Sequence, residues 1–423
     1  MLKDQASIFP RKKRNRNCVV CKRMKESTLV SNNKTRNSVW PGLDSAALVH
    51  SAAVSRYIRE LIRSAGGVLP FDQYMEAVLY APGLGYYAAG ARKFGEDGDF
   101  VTAPEMGDLF GHCLAREAEQ ILAAIPDAVV LEFGAGSGAL AETLITALAQ
   151  SGRLPSQYHI VEISPDLRQR QHERLTPLCK RYGVTLQWQE SLPQSPFNGL
   201  ILANEVVDAF PVTRFRVERG QLQRAGVRLD GDAFAWDWMD DLDADGMEAQ
   251  LAQRHQLAEG YVTEACPRAH AWIRALGSCL KQGVALIFDY GFPGDEYYLS
   301  QRDCGTLRCH YRHRAHDDPF LYPGLQDITC HVDFSALADA GREAGLQLLG
   351  YTSQEAYLLS LGLMELAAPG DDDDQRAILA RSAQIKQLVL PSQMGEACKV
   401  MALGKAMEHP LVGFDLRDRS ASL

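Results

Sequence analysis

Hydrophobic and polar positions change their period several times along this chain. Over residues 46–62, apolar side chains recur at the three- and four-residue spacing of a helix, and a second helical pattern covers residues 114–125. A loop rich in glycine and tyrosine and a polar stretch through Asp99 separate the two patterns. The sequence therefore predicts an N-terminal helical region over residues 46–125.

The centre of the chain alternates short apolar runs with amphipathic segments. The apolar runs have the length of buried strands, and helices are predicted after the first two of them. The predicted strands, including two late ones, are residues 128–133, 158–163, 184–188, 199–204, 284–290, 346–352 and 399–404. Strands that alternate with helices indicate an α/β fold with a parallel sheet and right-handed crossovers.

Two insertions are predicted within this sheet. Between Val212 and Trp238 the apolar period becomes two, with glycine at the turns, which predicts an inserted antiparallel hairpin. Helical patterns over residues 247–257 and 261–280 then return the chain to the sheet. The predicted organisation is a basic disordered extension or leader over residues 1–45, a helical region over 46–125, a core over 126–406 with insertions at about 212–280 and 300–335, and a C-terminal tail over 407–423.

Charge is divided unevenly along the 423 residues. Residues 1–40 contain 11 Lys and Arg and only 2 acids, which leaves 33 basic and 51 acidic residues for the rest. A body this acidic is a poor binder of phosphate backbones, so nucleic acid is not expected as a partner. No run approaches the ~20 apolar residues of a membrane helix, and stable membrane insertion is not expected either.

A glycine-rich loop joins the first predicted strand to its helix. The strand contains Glu132, and Gly134, Gly136 and Gly138 follow at a two-residue spacing around Ala135 and a serine. Glycine allows a sharp turn and lets a ligand lie against the main chain, while the helix behind offers free N–H groups. The loop is therefore a candidate ligand site, although a tight strand–helix turn without a ligand would also explain it.

The spacing of the loop distinguishes between cofactors. Dinucleotide sites use G-x-G-x-x-G, whereas this loop is G-x-G-x-G and an acid precedes it, which suits a cationic amino-acid group better than a diphosphate. A second acid, Glu162, ends the next strand, where a carboxylate can accept both ribose hydroxyls. Together these features predict S-adenosylmethionine as the cofactor. The predicted contacts are Glu132, Gly134, Ala135, Gly136, Gly138, Glu162 and Asn204.

Further polar side chains follow the fourth predicted strand. Asn204, Glu205 and Asp208 lie at its carboxyl end, where ligands gather in a parallel sheet. A solvated loop is the alternative for Glu205 and Asp208. Upstream, Thr102 and Glu105 have the spacing of a capping box, which would also explain both residues structurally.

Histidines and cysteines are concentrated between residues 304 and 331, where four of the eleven histidines lie. Arg308, Arg312 and Arg314 are interleaved with them and would repel a cation. A basic polar surface, or a surface that binds an acid, is therefore predicted rather than a metal site.

Several motifs of the chain are similar to those of MidA-like S-adenosylmethionine-dependent methyltransferases. The N-E-x-x-D-A-x-P, G-Y-Y and H-V-D-F motifs are the most specific to that family, and the matches span roughly residues 46–406. The matching segments are Leu79–Tyr87, Gly98–Glu105, Leu131–Gly138, Asn204–Pro211, Asp289–Gly291 and Gln326–Phe334.

The resemblance implies a class I methyltransferase fold with a Rossmann-like sheet, and a protein substrate. Mitochondrial members of the family assist assembly of respiratory complex I, and the implied activity is symmetric dimethylation of an arginine on a complex I subunit. Glu205 is the first candidate for contacting the guanidinium, followed by Asp208 and Glu105. The implied location is the cytoplasm for a bacterial protein and the mitochondrial matrix for a eukaryotic one. A methyltransferase of small molecules or of another residue type, and a non-catalytic assembly chaperone, are the alternatives.

Overall fold

A computed structural model of the chain describes residues 43–89, 102–193, 195–370 and 374–423. The predicted basic extension over residues 1–45 lies almost wholly outside the described residues. The same holds for the polar stretch around Asp99 and for most of the acidic run that precedes residue 375.

The described helices and strands follow the predicted alternation. In chain order the strands are β1 (Val68–Pro70), β2 (Val129–Phe133), β3 (Gln157–Val161), β4 (Thr185–Gln189), β5 (Phe197–Asn204), β6 (Thr213–Glu218), β7 (Gln221–Asp230), β8 (Ala233–Met239), β9 (Val262–Ala265), β10 (Leu280–Phe292), β11 (Arg308–Tyr311), β12 (Arg314–His316), β13 (Asp327–Thr329), β14 (Val332–Asp333), β15 (Gln347–Ser353) and β16 (Cys398–Lys405). The helices are α1 (Ser45–Ser64), α2 (Phe71–Tyr80), α3 (Leu109–Ala124), α4 (Ala139–Gln150), α5 (Pro165–Tyr182), α6 (Met247–Arg254), α7 (Pro267–Cys279), α8 (Gly294–Tyr297), α9 (Phe334–Glu343), α10 (Gln354–Ser360), α11 (Leu363–Leu366), α12 (Gln375–Val389) and α13 (Met394–Ala397). No helix in the described ranges has both the length and the apolar character needed to cross a membrane.

The central sheet has the strand order β15–β16–β10–β5–β2–β3–β4, with β14 added beside the end of β10. Strands from β10 to β4 are parallel, while β16 runs antiparallel to both of its neighbours. This mixed sheet confirms the predicted α/β class. The direction of winding reverses between β2 and β5, and such a reversal opens a crevice at the carboxyl ends of the strands.

Helices cover both faces of this sheet. Successive strand residues point to opposite faces, so Val130 belongs to one apolar cluster and Leu131 to the other. The first cluster packs β2 against α3, α4 and α5, and the second packs it against α7 and α9. Because β2 is buried on both faces, it reads as a continuous apolar run, which is why it was predictable.

A second, antiparallel sheet replaces the predicted hairpin. Three consecutive strands, β6 to β8, form a meander, and β1 and β9 pair with β7 and β6 respectively. The predicted helix over residues 261–280 is wrong at its start, because Val262–Ala265 is a fully buried strand without alternation and α7 begins only at Pro267. The N-terminal region is likewise not purely helical, since it contributes β1.

Helix α5 is longer than its apolar pattern indicates. It begins at the cap Ser164 and Pro165, as expected for a helix start, but it continues past Pro177 to Tyr182. Gly183 then ends it with φ of 74°, a left-handed value that favours glycine.

The predicted basic surface between residues 300 and 335 is partly a small sheet, β12–β11–β13. Cys309 and Ile328 are fully buried, whereas Arg312, His313 and Arg314 lie exposed around the β11–β12 turn. These strands are so short that the alternation of polar and buried residues could not be recognised in the sequence.

The predicted tail over residues 407–423 is packed onto the core. Leu411 and Phe414 are buried, and the N–H of Gly413 donates to Glu117 Oε2 at 2.7 Å. Arg419 forms ion pairs with Glu296 and Glu396. These contacts come from short turns without a hydrophobic period, so no sequence pattern indicated them.

A buried ion pair links the second sheet to the segment before β11. Arg214 and Glu264 pair with side chains only 2% and 1% exposed. Glu264 also accepts hydrogen bonds from the N–H and Oγ1 of Thr306, at 2.8 and 3.1 Å. Removing one partner of such a pair leaves a buried charge without compensation.

Glu264→Gln is therefore expected to lower the free energy of unfolding by about 3 kcal/mol. Glu365→Gln is the control, because it removes the carboxylate of the exposed Arg116–Glu365 pair and should cost less than about 1 kcal/mol. Urea denaturation followed by fluorescence measures both. Equal losses in the two variants would contradict the importance assigned to the buried pair.

Candidate cofactor and acceptor site

The glycine loop lies between β2 and α4, where the sequence predicts it. The φ angles are 59° at Gly134, 54° at Gly136 and 83° at Gly138, all in the left-handed region that glycine adopts without strain. Gly138 is the N-cap of α4, so the free N–H groups of the first helical turn lie just behind the loop.

A cavity of about 380 Å³ opens in front of this loop, at the crevice between β2 and β5. Its volume is within the range of about 300–1,000 Å³ found for cofactor sites. The predicted residues that line it are Glu105, Glu132, Gly134, Ala135, Gly136, Glu162, Asn204 and Glu205. Gly138 and Asp208 are not among the lining residues.

Glu132 is a buried wall of the cavity. Its Oε2 accepts a hydrogen bond from the Tyr158 hydroxyl at 2.7 Å. Burial raises the pKa of Glu132 to about 7, and the bond from Tyr158 partly opposes that rise. A cationic group in the cavity would favour its ionised form, which fits the predicted contact with the amino-acid part of the cofactor.

Glu162 is held rigidly beside the loop. Its Oε1 accepts from the N–H of Ser164 at 2.8 Å, and its Oε2 accepts from the amide of Gln171 at 3.0 Å. The same amide donates to the carbonyl of Gly136 at 2.9 Å. Gln171 therefore fixes the predicted ribose carboxylate relative to the glycine loop. The sequence did not predict this role, because nothing in the local pattern marks Gln171 among the residues of its helix.

Glu105 contacts the glycine loop rather than capping a helix. It ends a short 3-10 helix, Ala103–Glu105, whose N-cap Thr102 makes no side-chain cap bond. The capping-box interpretation is therefore wrong. Instead, the Ser137 hydroxyl donates to Glu105 Oε1, which connects this upstream segment to the loop.

Glu205 follows β5 at the cavity wall in an unusual backbone conformation. Its φ is 53°, and its N–H donates to the carbonyl of Phe288 at 2.8 Å. Burial, and next the charge of Asp289, raise the pKa of Glu205 to about 8. The carboxyl is therefore mostly protonated at neutral pH unless a cation approaches it.

Asn204 precedes it and faces the same cavity. Its amide Nδ2 lies 3.4 Å from Glu205 Oε1. Its Oδ1 is buried and has no hydrogen-bond partner within the described ranges. An unsatisfied acceptor of this kind at a cavity wall fits a ligand that supplies a donor.

Asp208 lies behind the cavity, among other acids. Its N–H donates to Asp289, and its carbonyl accepts from the N–H of Cys330 at 2.9 Å. Burial, followed by the charges of Asp289, Asp327 and Glu205, raises its pKa well above the usual value. As a candidate catalytic residue it is therefore poorly placed to touch a ligand.

Asp289 is a residue of this site to which the sequence prediction gave no role. It lies within β10, fully buried, and its Oδ2 accepts from the N–H groups of Val206, Val207 and Asp208 at 3.2, 2.8 and 3.3 Å. Its Oδ1 accepts from the N–H of Tyr290 at 2.8 Å. Burial raises the pKa of Asp289 to about 7 against the opposing effect of these bonds. The available signal was an acid inside an otherwise apolar strand.

Two tyrosines also line the cavity. The rings of Tyr80 and Tyr87 stack with centroids 5.4 Å apart at 23°. Tyr80 donates to the carbonyl of Ala209 and Tyr87 to Asp327 Oδ1, both at 2.8 Å. Their hydroxyls are thus fixed, and the paired rings form an aromatic wall at the cavity.

Comparison with known proteins agrees with this geometry. Residues 113–352 match the model of Methyltransf_28, a family of S-adenosyl-L-methionine-dependent methyltransferases. A Burkholderia thailandensis protein crystallised with S-adenosyl-homocysteine is 44% identical, with a TM-score of 0.86 over 90% of this chain and 100% of that chain. The chain belongs to this family of S-adenosylmethionine-dependent methyltransferases, which confirms the resemblance and the cofactor predicted from the sequence.

Curated relatives lie further away in sequence. "Protein arginine methyltransferase NDUFAF7, mitochondrial" from Danio rerio is 28% identical over 82% of this chain and 86% of its own length. The Homo sapiens protein of the same name is 27% identical over 82% of each chain.

Gly136→Val is expected to abolish binding of S-adenosylhomocysteine, because it places a branched side chain at a left-handed position against the cavity. Calorimetry measures the affinity and circular dichroism the fold. Gly152→Val is the matched control, since Gly152 also has positive φ, at 71°, but an added Cβ would meet nothing within 4 Å. If both variants bind equally well, the loop does not hold the cofactor.

Proposed function

We propose that this protein transfers methyl groups from S-adenosylmethionine to an arginine of a protein substrate and forms symmetric dimethylarginine on a subunit of respiratory complex I. The observation that carries the proposal is Glu205, a carboxyl of raised pKa at the wall of the cavity that the glycine loop borders. The names of the relatives at 27–28% identity support the same substrate class.

A guanidinium group presents a particular chemical requirement. It stays protonated at all ordinary pH values, so the attacking nitrogen has no free lone pair. S-adenosylmethionine supplies the electrophilic methyl group. As the nitrogen–carbon bond forms, the nitrogen must lose one proton, and the methylated guanidinium keeps its single positive charge.

Glu205 suits both the binding of the cation and the acceptance of its proton. The approach of a guanidinium favours the ionised carboxylate, which can bind the cation through charge-assisted hydrogen bonds. In the free protein the pKa of this carboxyl is about 8, so Glu205 must lose its proton before it can bind the cation and accept a proton from it. Activity is accordingly expected to rise with pH as Glu205 ionises.

The surroundings of Glu205 favour a planar cation. Tyr80 and Tyr87 present an aromatic wall at the same cavity, and aromatic faces attract guanidinium groups. Fixed walls of this kind also align nitrogen, methyl carbon and sulfur, and alignment can supply several kcal/mol of the barrier reduction.

A second, more open groove of about 670 Å³ supports a polypeptide substrate. It shares Tyr80, Ile163, Phe210 and Trp272 with the cofactor cavity and continues to the surface past Pro82. Ile163 is half exposed at the junction. A side chain as long as arginine could enter the cavity from a backbone lying in this groove.

Cells that lack the gene are expected to lose symmetric dimethylation of an arginine on a complex I subunit. Mass spectrometry of purified complex I, with and without the gene, measures the mass and fragmentation of the modified residue. Re-expression of the wild-type protein should restore the mark. Unchanged methylation of every complex I subunit would contradict this substrate, and cofactor turnover without any protein would favour a small-molecule substrate.

Glu205→Gln is expected to slow methyl transfer about 100-fold or more, equivalent to about 3 kcal/mol, because the amide neither binds the cation nor accepts its proton. Transfer of tritiated methyl groups into arginine is measured in extracts of cells that lack the gene. Affinity for S-adenosylhomocysteine should change little.

Glu117→Gln is the matched control, since Glu117 is also buried with a pKa raised to about 7, chiefly by burial, but does not line the cavity. Normal methylation by the Glu205 variant, or loss of cofactor binding, would remove Glu205 as the guanidinium partner. Glu105, which lines the cavity, would then be tested before Asp208.

A further inference from the structure

The turn after β5 places Glu205 at the cavity. This turn is held by Asp289, which does not line the cavity. We propose that Asp289 is a positioning residue for methyl transfer, which fixes the turn over residues 204–208 so that Glu205 meets the cavity while Asp208 stays behind it. This inference rests on the proposed role of Glu205 in the reaction.

The backbone geometry shows what Asp289 does. Glu205 has φ of 53°, a conformation that costs a residue other than glycine of the order of 1 kcal/mol or more. Three successive N–H groups, from Val206 to Asp208, then converge on one oxygen of Asp289. Converging main-chain N–H groups form a concave anion site, and here the anion is part of the protein itself.

Asp289 is also separated from the reacting groups. Its exposed fraction is 0% and it does not line the cavity, so it cannot contact substrate or cofactor directly. Its two oxygens are taken up by four N–H donors. Asp289 can therefore affect the reaction only by holding the turn in place or by placing its charge beside Glu205.

Charge is divided between the two carboxyls by their hydrogen bonds. Asp289 accepts four main-chain N–H groups, whereas Glu205 receives the N–H of Ala103 and the long contact from Asn204. Hydrogen bonds to the ionised form favour it; burial raises the pKa of Asp289 to about 7 and that of Glu205 to about 8, so Asp289 is the more readily ionised of the two. The other titratable groups that face this pair in the described ranges include Asp208, Cys266, Asp327, Tyr290 and Cys398.

Two variants separate the effect of the position of the Asp289 carboxylate from the effect of its charge. Asp289→Asn keeps the size of the side chain but removes the charge and at least one acceptor. Asp289→Glu keeps the charge but moves the carboxylate away from the three converging N–H groups. Asp333→Asn is the control, because Asp333 is a buried acid with a raised pKa that accepts the N–H of Ala336 outside the cavity.

The measurements include one that needs no substrate. The side-chain carboxyl of Glu205 is titrated by carbon-13 NMR in glutamate-labelled protein and assigned by its absence in Glu205→Gln. In wild type the midpoint is expected near pH 8. In Asp289→Asn it should fall by at least one pH unit, while in Asp289→Glu the midpoint stays raised.

Both variants should bind S-adenosylhomocysteine within about threefold of wild type, a change of less than about 1 kcal/mol, and both should lose at least tenfold in methyl transfer. An unchanged Glu205 titration in Asp289→Asn, or undiminished methyl transfer in either variant, would overturn the proposal. Failure of both variants to fold would overturn it as well, because Asp289 would then support the fold in general. If wild type methylates no arginine, the proposed function fails, whereas the titration still decides whether Asp289 controls Glu205.

Discussion

A buried carboxylate that accepts four main-chain N–H groups holds the centre of this site together. Asp289 lies in β10 and binds the chain that leaves β5, and the N–H of Glu205 returns a bond to the carbonyl of Phe288 in β10. The carboxyl ends of two adjacent parallel strands are thus locked to each other beyond their regular ladder. Because β2 pairs with β5 on its other side, the glycine loop and Glu205 take fixed positions across the crevice.

The site concentrates acids where apolar packing would be more stable. Glu132, Glu205 and Asp289 all have raised pKa values, with burial as the first cause. Burying a charge without a partner costs free energy, and protonation relieves that cost. Burial therefore favours the protonated form of these three carboxyls, and a cation that approaches one of them favours its ionised form.

Much of this arrangement follows from sequence pattern, and the remainder depends on tertiary contacts. The strands buried on both faces and the three glycines could be predicted because they are local, continuous features. Strand β9 was misread as helix because four buried residues carry no period, and the contacts of Phe414 and Gly413 arise in turns. Asp289 and Gln171 escaped prediction for another reason, since their roles depend on partners distant in the chain, 82 residues between Asp289 and Val207 and 35 between Gln171 and Gly136.

The tyrosine wall has a consequence for how the protein can change over time. Tyr80 and Tyr87 come from the segment that ends α2 and follows it, and Tyr87 is anchored by Asp327 of the small sheet formed by β11–β13. The wall facing them, formed by the glycine loop, Glu132 and Glu162, comes from the central sheet and its helices. Substitutions in the first set can change their part of the cavity while the part around the glycine loop keeps its shape. The two halves of one cavity are thereby able to diversify at different rates, with the turn around Glu205 as the border between them.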